Sequence, residues 1–297
     1  MNKIPVGETV SGAYSFAFTK ILSVLGVFWL PYLLFGVIVA AAVHFLAPGL
    51  PSQIMHGPWD LSLAMSFRRV SGIIFLVGIL ASAMVTVGLQ RKALGLHPGP
   101  MFFFFSLGAP VWLLIVAYIL AILVIIFVVA ITVGVCVAVW FAAGHIGSPA
   151  GAVALRAIAI IAGVCWLIYL EVRLLFFLPA VVVAENTIGL GRAWTLAGGN
   201  FWRIIGVLIV VFLPVAIGFG MVSNALIGPF IPMNFLTHPP ADPSAFITVM
   251  MQQLRVIGPL YLILAFVERV VFWGLGNGAI ATAYRHLVPS GAPADHG

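Results

Sequence analysis

Long apolar runs separated by short polar punctuation dominate the chain. A helix crosses a bilayer with about 20 mostly apolar residues, because the hydrocarbon is ~30 Å thick and each residue rises ~1.5 Å. Six stretches meet that length, at about 21–46, 70–89, 111–143, 152–177, 204–227 and 256–284. Arg68-Arg69 and Arg91-Lys92 bracket the second, and no charged residue occurs between Lys92 and Arg156. Membrane β-strands would alternate over about ten residues between turns; these unbroken runs do not. The pattern predicts an all-α polytopic integral membrane protein with six transmembrane helices. It reads as a single membrane domain over 1–289 and a short polar tail over 290–297. The third run exceeds one upright crossing, so tilt or extension beyond the bilayer absorbs the excess.

Two shorter stretches carry a different period. Val6, Val10, Tyr14, Ala17 and Ile21 recur at helical spacing with polar residues between them, as do Leu190, Trp194, Ala197 and Phe201. Such amphipathic helices bury one face at the headgroup boundary, so both are expected to lie in the membrane plane. They also reveal a faint internal repeat. Phe18-Thr19-Lys20-Ile21 followed by Leu30-Pro31 matches Phe201-Trp202-Arg203-Ile204 followed by Leu213-Pro214, and Arg91 matches Arg285. Each unit would be a short helix, a span, a proline-rich loop and a return span.

Composition excludes the soluble alternatives. Of 297 residues, 63% are apolar and 7% charged, against roughly 25% charged in a soluble domain. The net charge of +6 comes from bases scattered at span ends, which argues against nucleic acid as a partner. Basic residues accumulate on cytoplasmic loops. With Lys3 inside, Lys20, Arg91, Lys92, Arg192, Arg203 and Arg285 share its side, while Arg68, Arg69, Arg156 and Arg255 oppose it. Both termini are therefore expected in the cytoplasm. The outer loops are proline-rich, with one acid each, Asp60 and Asp242. The run after Lys20 is too long for the core of a cleaved signal peptide, about 7–15 residues, and reads as an uncleaved first span. Cys136 and Cys165 make no disulfide framework, and the seven histidines show no metal-ligand spacing, so no metal or cofactor is expected.

Four ionisable residues interrupt the spans: Glu171 and Arg173 on the fourth, Glu268 and Arg269 on the sixth. Each costs about 2.5–3.5 kcal/mol at mid-helix on insertion scales. Counted from Arg156 and Arg255, the acids lie at nearly equal depth, roughly 22 and 20 Å along their helices. Neighbouring residues on a helix diverge by about 100°, so the expected arrangement is crossed: Glu171 with Arg269, and Glu268 with Arg173. A brace for the bundle, a path for protons or anions, and a lipid-headgroup site all fit this quartet. Gly274 and Gly278 form a GxxxG that would admit a close helix. No nucleophile elbow, P-loop or zinc-binding helix motif is present.

The stretch Arg173-Leu174-Leu175-Phe176-Phe177-Leu178-Pro179-Ala180, then Glu185, then Ala193-Trp194-Thr195-Leu196 and Gly199-Asn200-Phe201-Trp202-Arg203, has a counterpart. It resembles the six-helix membrane domain of bacterial glycerophosphoryl diester phosphodiesterases and related stand-alone inner-membrane proteins. The closing Thr282-Ala283-Tyr284-Arg285 is similar to that family's last helix. The resemblance implies a multi-pass protein of the bacterial inner membrane in a lipid-associated setting. It implies no activity, because the family's chemistry belongs to a separate barrel domain for which this chain has no room after its sixth span. It also offers Glu185 as a competing partner for Arg173. The expected role is non-enzymatic: a structural or accessory subunit among membrane lipids and other membrane subunits. The alternative is a small transporter or channel working through the charged quartet.

Overall fold

The computed structural model describes residues 3–50, 61–97, 103–145, 148–227 and 243–288. Among these every regular element is a helix, and no strand occurs. In chain order the helices are α1 (Val6–Thr19), α2 (Ile21–Leu46), α3 (Leu61–Ala93), α4 (Ala109–Ala143), α5 (Pro149–Leu175), α6 (Leu178–Glu185), α7 (Leu190–Ala197), α8 (Phe201–Ile227) and α9 (Pro243–Leu287). Six helical stretches are long and apolar enough to cross a membrane: Ile21–Leu46, Met65–Ala93, Ala109–Ala143, Pro149–Glu185, Phe201–Leu226 and Ile257–Leu287. The second extends past both ends of the expected 70–89. The proline-rich loops with Asp60 and Asp242, the side chain of Arg255 and the 290–297 tail lie outside the described residues.

Local chemistry explains the boundaries. Ser148 caps α5 by accepting the Gly151 amide at 3.3 Å, and Pro149 opens the helix, where a missing N–H costs nothing. The fourth span breaks after Leu175 because a proline at 179 would clash with the carbonyl four residues earlier. Helix α6 restarts with Pro179 in its first turn. Pro214 lies inside α8 and removes the donor due to the Val210 carbonyl. Tyr14 of α1 directs its hydroxyl there, 3.1 Å from the Val211 oxygen and 3.4 Å from that of Val210.

The core lies at the end of the bundle that gathers α1, α6, α7 and the last turns of α3 and α9. Helix α6 runs through it with Leu178 to Val183 all buried. Helix α4 enters the core by one stripe, Val111, Leu114, Ala117 and Ala121, spaced three, three and four apart as one helix face requires. Beyond Ala121 it pairs mainly with α5, and that hairpin exposes Ile126, Phe127, Ile158 and Ile161. In water such a surface would be untenable; in hydrocarbon it is the expected exterior.

Helix α1 departs from the in-plane expectation. Its small residues seat against the glycines of α9, antiparallel to that helix. A Cβ at Gly278 would meet the Ala13 Cα at 3.1 Å, one at Gly274 the Ala17 Cβ at 3.3 Å, and one at Gly12 the Thr282 hydroxyl at 2.6 Å. Val6, Val10 and Tyr14 pack with Val207, Val211 and Leu275. The face assigned to headgroups is covered by protein, because the small-residue surfaces of two helices approach closely enough to exclude lipid. Helix α7 buries Ala193, Leu196 and Ala197, a face rotated from the one its apolar period indicated. The repeat appears in element order, short helix, span and return span in both halves. Packing does not follow it: α1 lies on α9, whereas α7 lies on α5.

Candidate functional site

The four intramembrane charges do not form one cluster. Among the described residues the ion pairs are Glu185 with Arg192 at 3.3 Å and Glu8 with His286 at 3.3 Å. Neither crossed pair forms. Arg173 instead stacks on Trp194, its guanidinium carbon 4.0 Å from the ring centroid. It donates to the Trp194 carbonyl at 2.9 Å and to the Tyr169 hydroxyl at 2.6 Å. The Trp194 carbonyl belongs to the last turn of α7, where helical carbonyls lack intrahelical donors. The Gly198 amide serves Thr195, and Asn200 serves Leu196 and Ala197. Arg173 completes the set. Its positive charge also opposes the negative end of the helix dipole. A π-face and a capped carbonyl thus replace the expected carboxylate.

Glu185 is engaged elsewhere as well. One carboxylate oxygen accepts from the Tyr284 hydroxyl at 2.8 Å and from Arg192, tying α6 to the end of α9 and to α7. It does not pair with Arg173. Asn200 accepts the Ile4 amide at 3.0 Å and Arg203 donates to the Ile4 carbonyl at 2.8 Å, anchoring the N-terminal segment. The residues that carry the resemblance are therefore mostly joints between elements. Glu171 is exposed on α5, two residues from Arg173 and about 200° around the helix from it.

Glu268 and Arg269 have a different setting. Arg269 is exposed and Glu268 half-buried, and both line a groove of 590 Å³ with Phe28, Tyr32, Phe272 and Trp273. Tyr32, Arg269 and Trp273 also border a second cavity of 590 Å³ between α2, α3, α4 and α9. Ile74, Gly78, Ser82 and Thr86 of α3 form its floor, and Ile115, Tyr118 and Ile122 of α4 its far wall. The α3 stretch from Ile74 to Thr86 is about 18 Å long at 1.5 Å per residue. Phe75, Ile119 and Ile122 at its rim are 67%, 49% and 51% exposed, so the cavity opens sideways, toward where lipid would be. The result is an apolar trough with hydroxyls in its wall and one guanidinium beside it.

A pair missed from the sequence sets the register of this trough. Gln90, fully buried, donates to the Asn277 side-chain oxygen at 3.0 Å. With six crossings α3 and α9 run the same way, so Arg269 and Ser82, each eight residues before that pair, stand at similar height. The Gln90 side-chain oxygen itself has no hydrogen-bond partner. The available signal was one amide near the end of each helix, Gln90 just before Arg91-Lys92 and Asn277 within an apolar, glycine-rich stretch.

No protein-family model matches the chain, and no match was found among curated proteins or solved structures.

Proposed function

We propose that this chain is a non-enzymatic integral membrane protein that holds a phospholipid in the trough between α2, α3, α4 and α9. Arg269 supports the reading most directly. It is a permanent cation, exposed at mid-span without a carboxylate partner among the described residues, and it stands beside an apolar space of ligand size. A phosphate would satisfy the guanidinium through paired N–H donors, and acyl chain would fill the wall of Ile74, Ile115 and Ile122. The basic ends of the spans and the resemblance to phosphodiesterase membrane domains favour the bacterial inner membrane, with both termini in the cytoplasm. In that setting the protein acts as an accessory component among lipids and other membrane subunits.

The test is lipid retention. The wild-type protein, purified in mild detergent and analysed by native mass spectrometry, is expected to carry bound phospholipid. Arg269→Ala is expected to lose about tenfold in occupancy, the value of one charge-assisted contact, and Arg269→Lys to keep most of it. Equal retention by Arg269→Ala and wild type would refute the reading.

A further inference from the structure

We propose that the trough is a path along which a phospholipid headgroup passes between leaflets, an inference that rests on the lipid-binding reading above. The depth of Arg269 is the first observation. It lies 14 residues from Arg255 and 16 from Arg285, the bases that bracket the sixth apolar run, or about 21 and 24 Å along the helix. The phosphate of a resting lipid sits at the interface. A phosphate held by Arg269 at mid-span is therefore displaced from the interface of both leaflets, the position a headgroup takes partway between them.

The second observation is that α3, which floors the trough, carries basic pairs at both ends. Arg68 and Arg69 precede Ser82 by 14 and 13 residues, about 20 Å, and Arg91 and Lys92 follow it by 9 and 10, about 14 Å. Arg269 stands between them at the height of Ser82. Arg269 thus lies at a depth between the two basic ends, and Thr86, Tyr118 and Tyr32 supply hydroxyls to the lining it shares. An anionic headgroup is least stable at the bilayer centre, so a cation at that depth lowers the barrier where it is highest.

The third observation is the open side. Exposed Phe75, Ile119 and Ile122 rim the cavity, and 590 Å³ suits a headgroup and upper chain but not two full tails. The tails remain in the bilayer while the head moves through the trough. Glu268 borders the groove on the other side of Arg269, where it accepts an amine-bearing headgroup and repels a second anion.

The experiment uses the full chain in liposomes of phosphatidylethanolamine and phosphatidylglycerol carrying a tail-labelled fluorescent phosphatidylglycerol, with dithionite added outside. Wild type is expected to take bleaching past the outer-leaflet half toward completion. Arg269→Ala is expected to slow that second phase about tenfold, one charge-assisted contact, and Arg269→Lys to restore part of it. Gly78→Leu fills the trough without altering charge; a Cβ there meets nothing nearer than the Phe35 ring at 3.6 Å, so the variant is expected to fold and to block passage. Bleaching that stops at half for wild type, with Arg269-dependent lipid retention intact, overturns the path and leaves the binding reading standing. Equal rates for wild type, Arg269→Ala and Gly78→Leu overturn it as well. Loss of Arg269 dependence in lipid retention sinks the binding reading itself.

Discussion

Replacing Arg173 with alanine tests the central correction to the charge pattern. The side chain makes two hydrogen bonds, at 2.9 Å to the Trp194 carbonyl and 2.6 Å to Tyr169, and a cation–π contact at 4.0 Å. A charged hydrogen bond contributes about 1.5–3 kcal/mol in water-soluble proteins, but polar contacts between membrane helices average about 0.6 and reach about 1.7 kcal/mol. A desolvated cation–π contact adds about 0.5–2 kcal/mol. The contacts share one guanidinium and do not add fully, so Arg173→Ala is expected to cost about 2–3 kcal/mol. Lysine keeps the charge but loses the planar stack and one bond, so Arg173→Lys should recover about half. Reversible unfolding in mixed micelles titrated with denaturing detergent reads these differences. A double-mutant cycle sharpens the result. Arg173 and Trp194 (as Trp194→Leu) should couple by about 1 kcal/mol, while Arg173 and Glu268 (as Glu268→Gln) should couple by less than about 0.3. Strong coupling to Glu268 would refute the placement of Arg173 and restore the crossed ion pair.

Gly278→Ala places a Cβ 3.1 Å from the Ala13 Cα and 3.2 Å from its carbonyl oxygen. Backbone there cannot yield cheaply, so a loss of about 1–3 kcal/mol is expected, together with faster alkylation of a cysteine introduced at Ala13. Gly276→Ala, which meets only the Phe212 ring edge at 3.3 Å, should change neither readout. Gln90→Leu leaves the Asn277 side-chain oxygen without its donor and should cost about 1–3 kcal/mol, whereas adding Asn277→Leu should return part of that loss; a double variant weaker than both singles would contradict the pairing. Glu268→Gln removes the negative charge next to Arg269 in the groove, so it should raise retention of anionic over amine-bearing phospholipid in the mass-spectrometric assay. Tyr284→Phe deletes the 2.8 Å hydrogen bond to Glu185, with an expected cost of about 1 kcal/mol by the same detergent titration.

The six crossings were legible because hydrocarbon imposes a one-dimensional rule: a span must supply enough consecutive apolar residues, whatever it packs against. For the same reason the first span matches its expected bounds, 21–46, at both ends. The helical period of 6–21 likewise marked α1 as amphipathic, and the glycine spacing at 274 and 278 marked a close contact. Neither revealed that each feature was the other's partner. Equal depth of Glu171, Arg173, Glu268 and Arg269 was also computable, since rise per residue is constant. Depth leaves the angle around each helix and the choice of neighbour undetermined, and those decide which charges meet. Helix α7 folds back so that its last turn presents an orphan carbonyl and an indole face to Arg173, an encounter 21 residues apart in the chain. Arg269 is left exposed at the border of the trough that α2, α3 and α4 form with α9. Local hydropathy thus determined the medium, the number of crossings and the cost of each buried charge. Tertiary packing alone decided which cation became a joint and which remained open to a ligand, because that depends on contacts between surfaces distant in sequence.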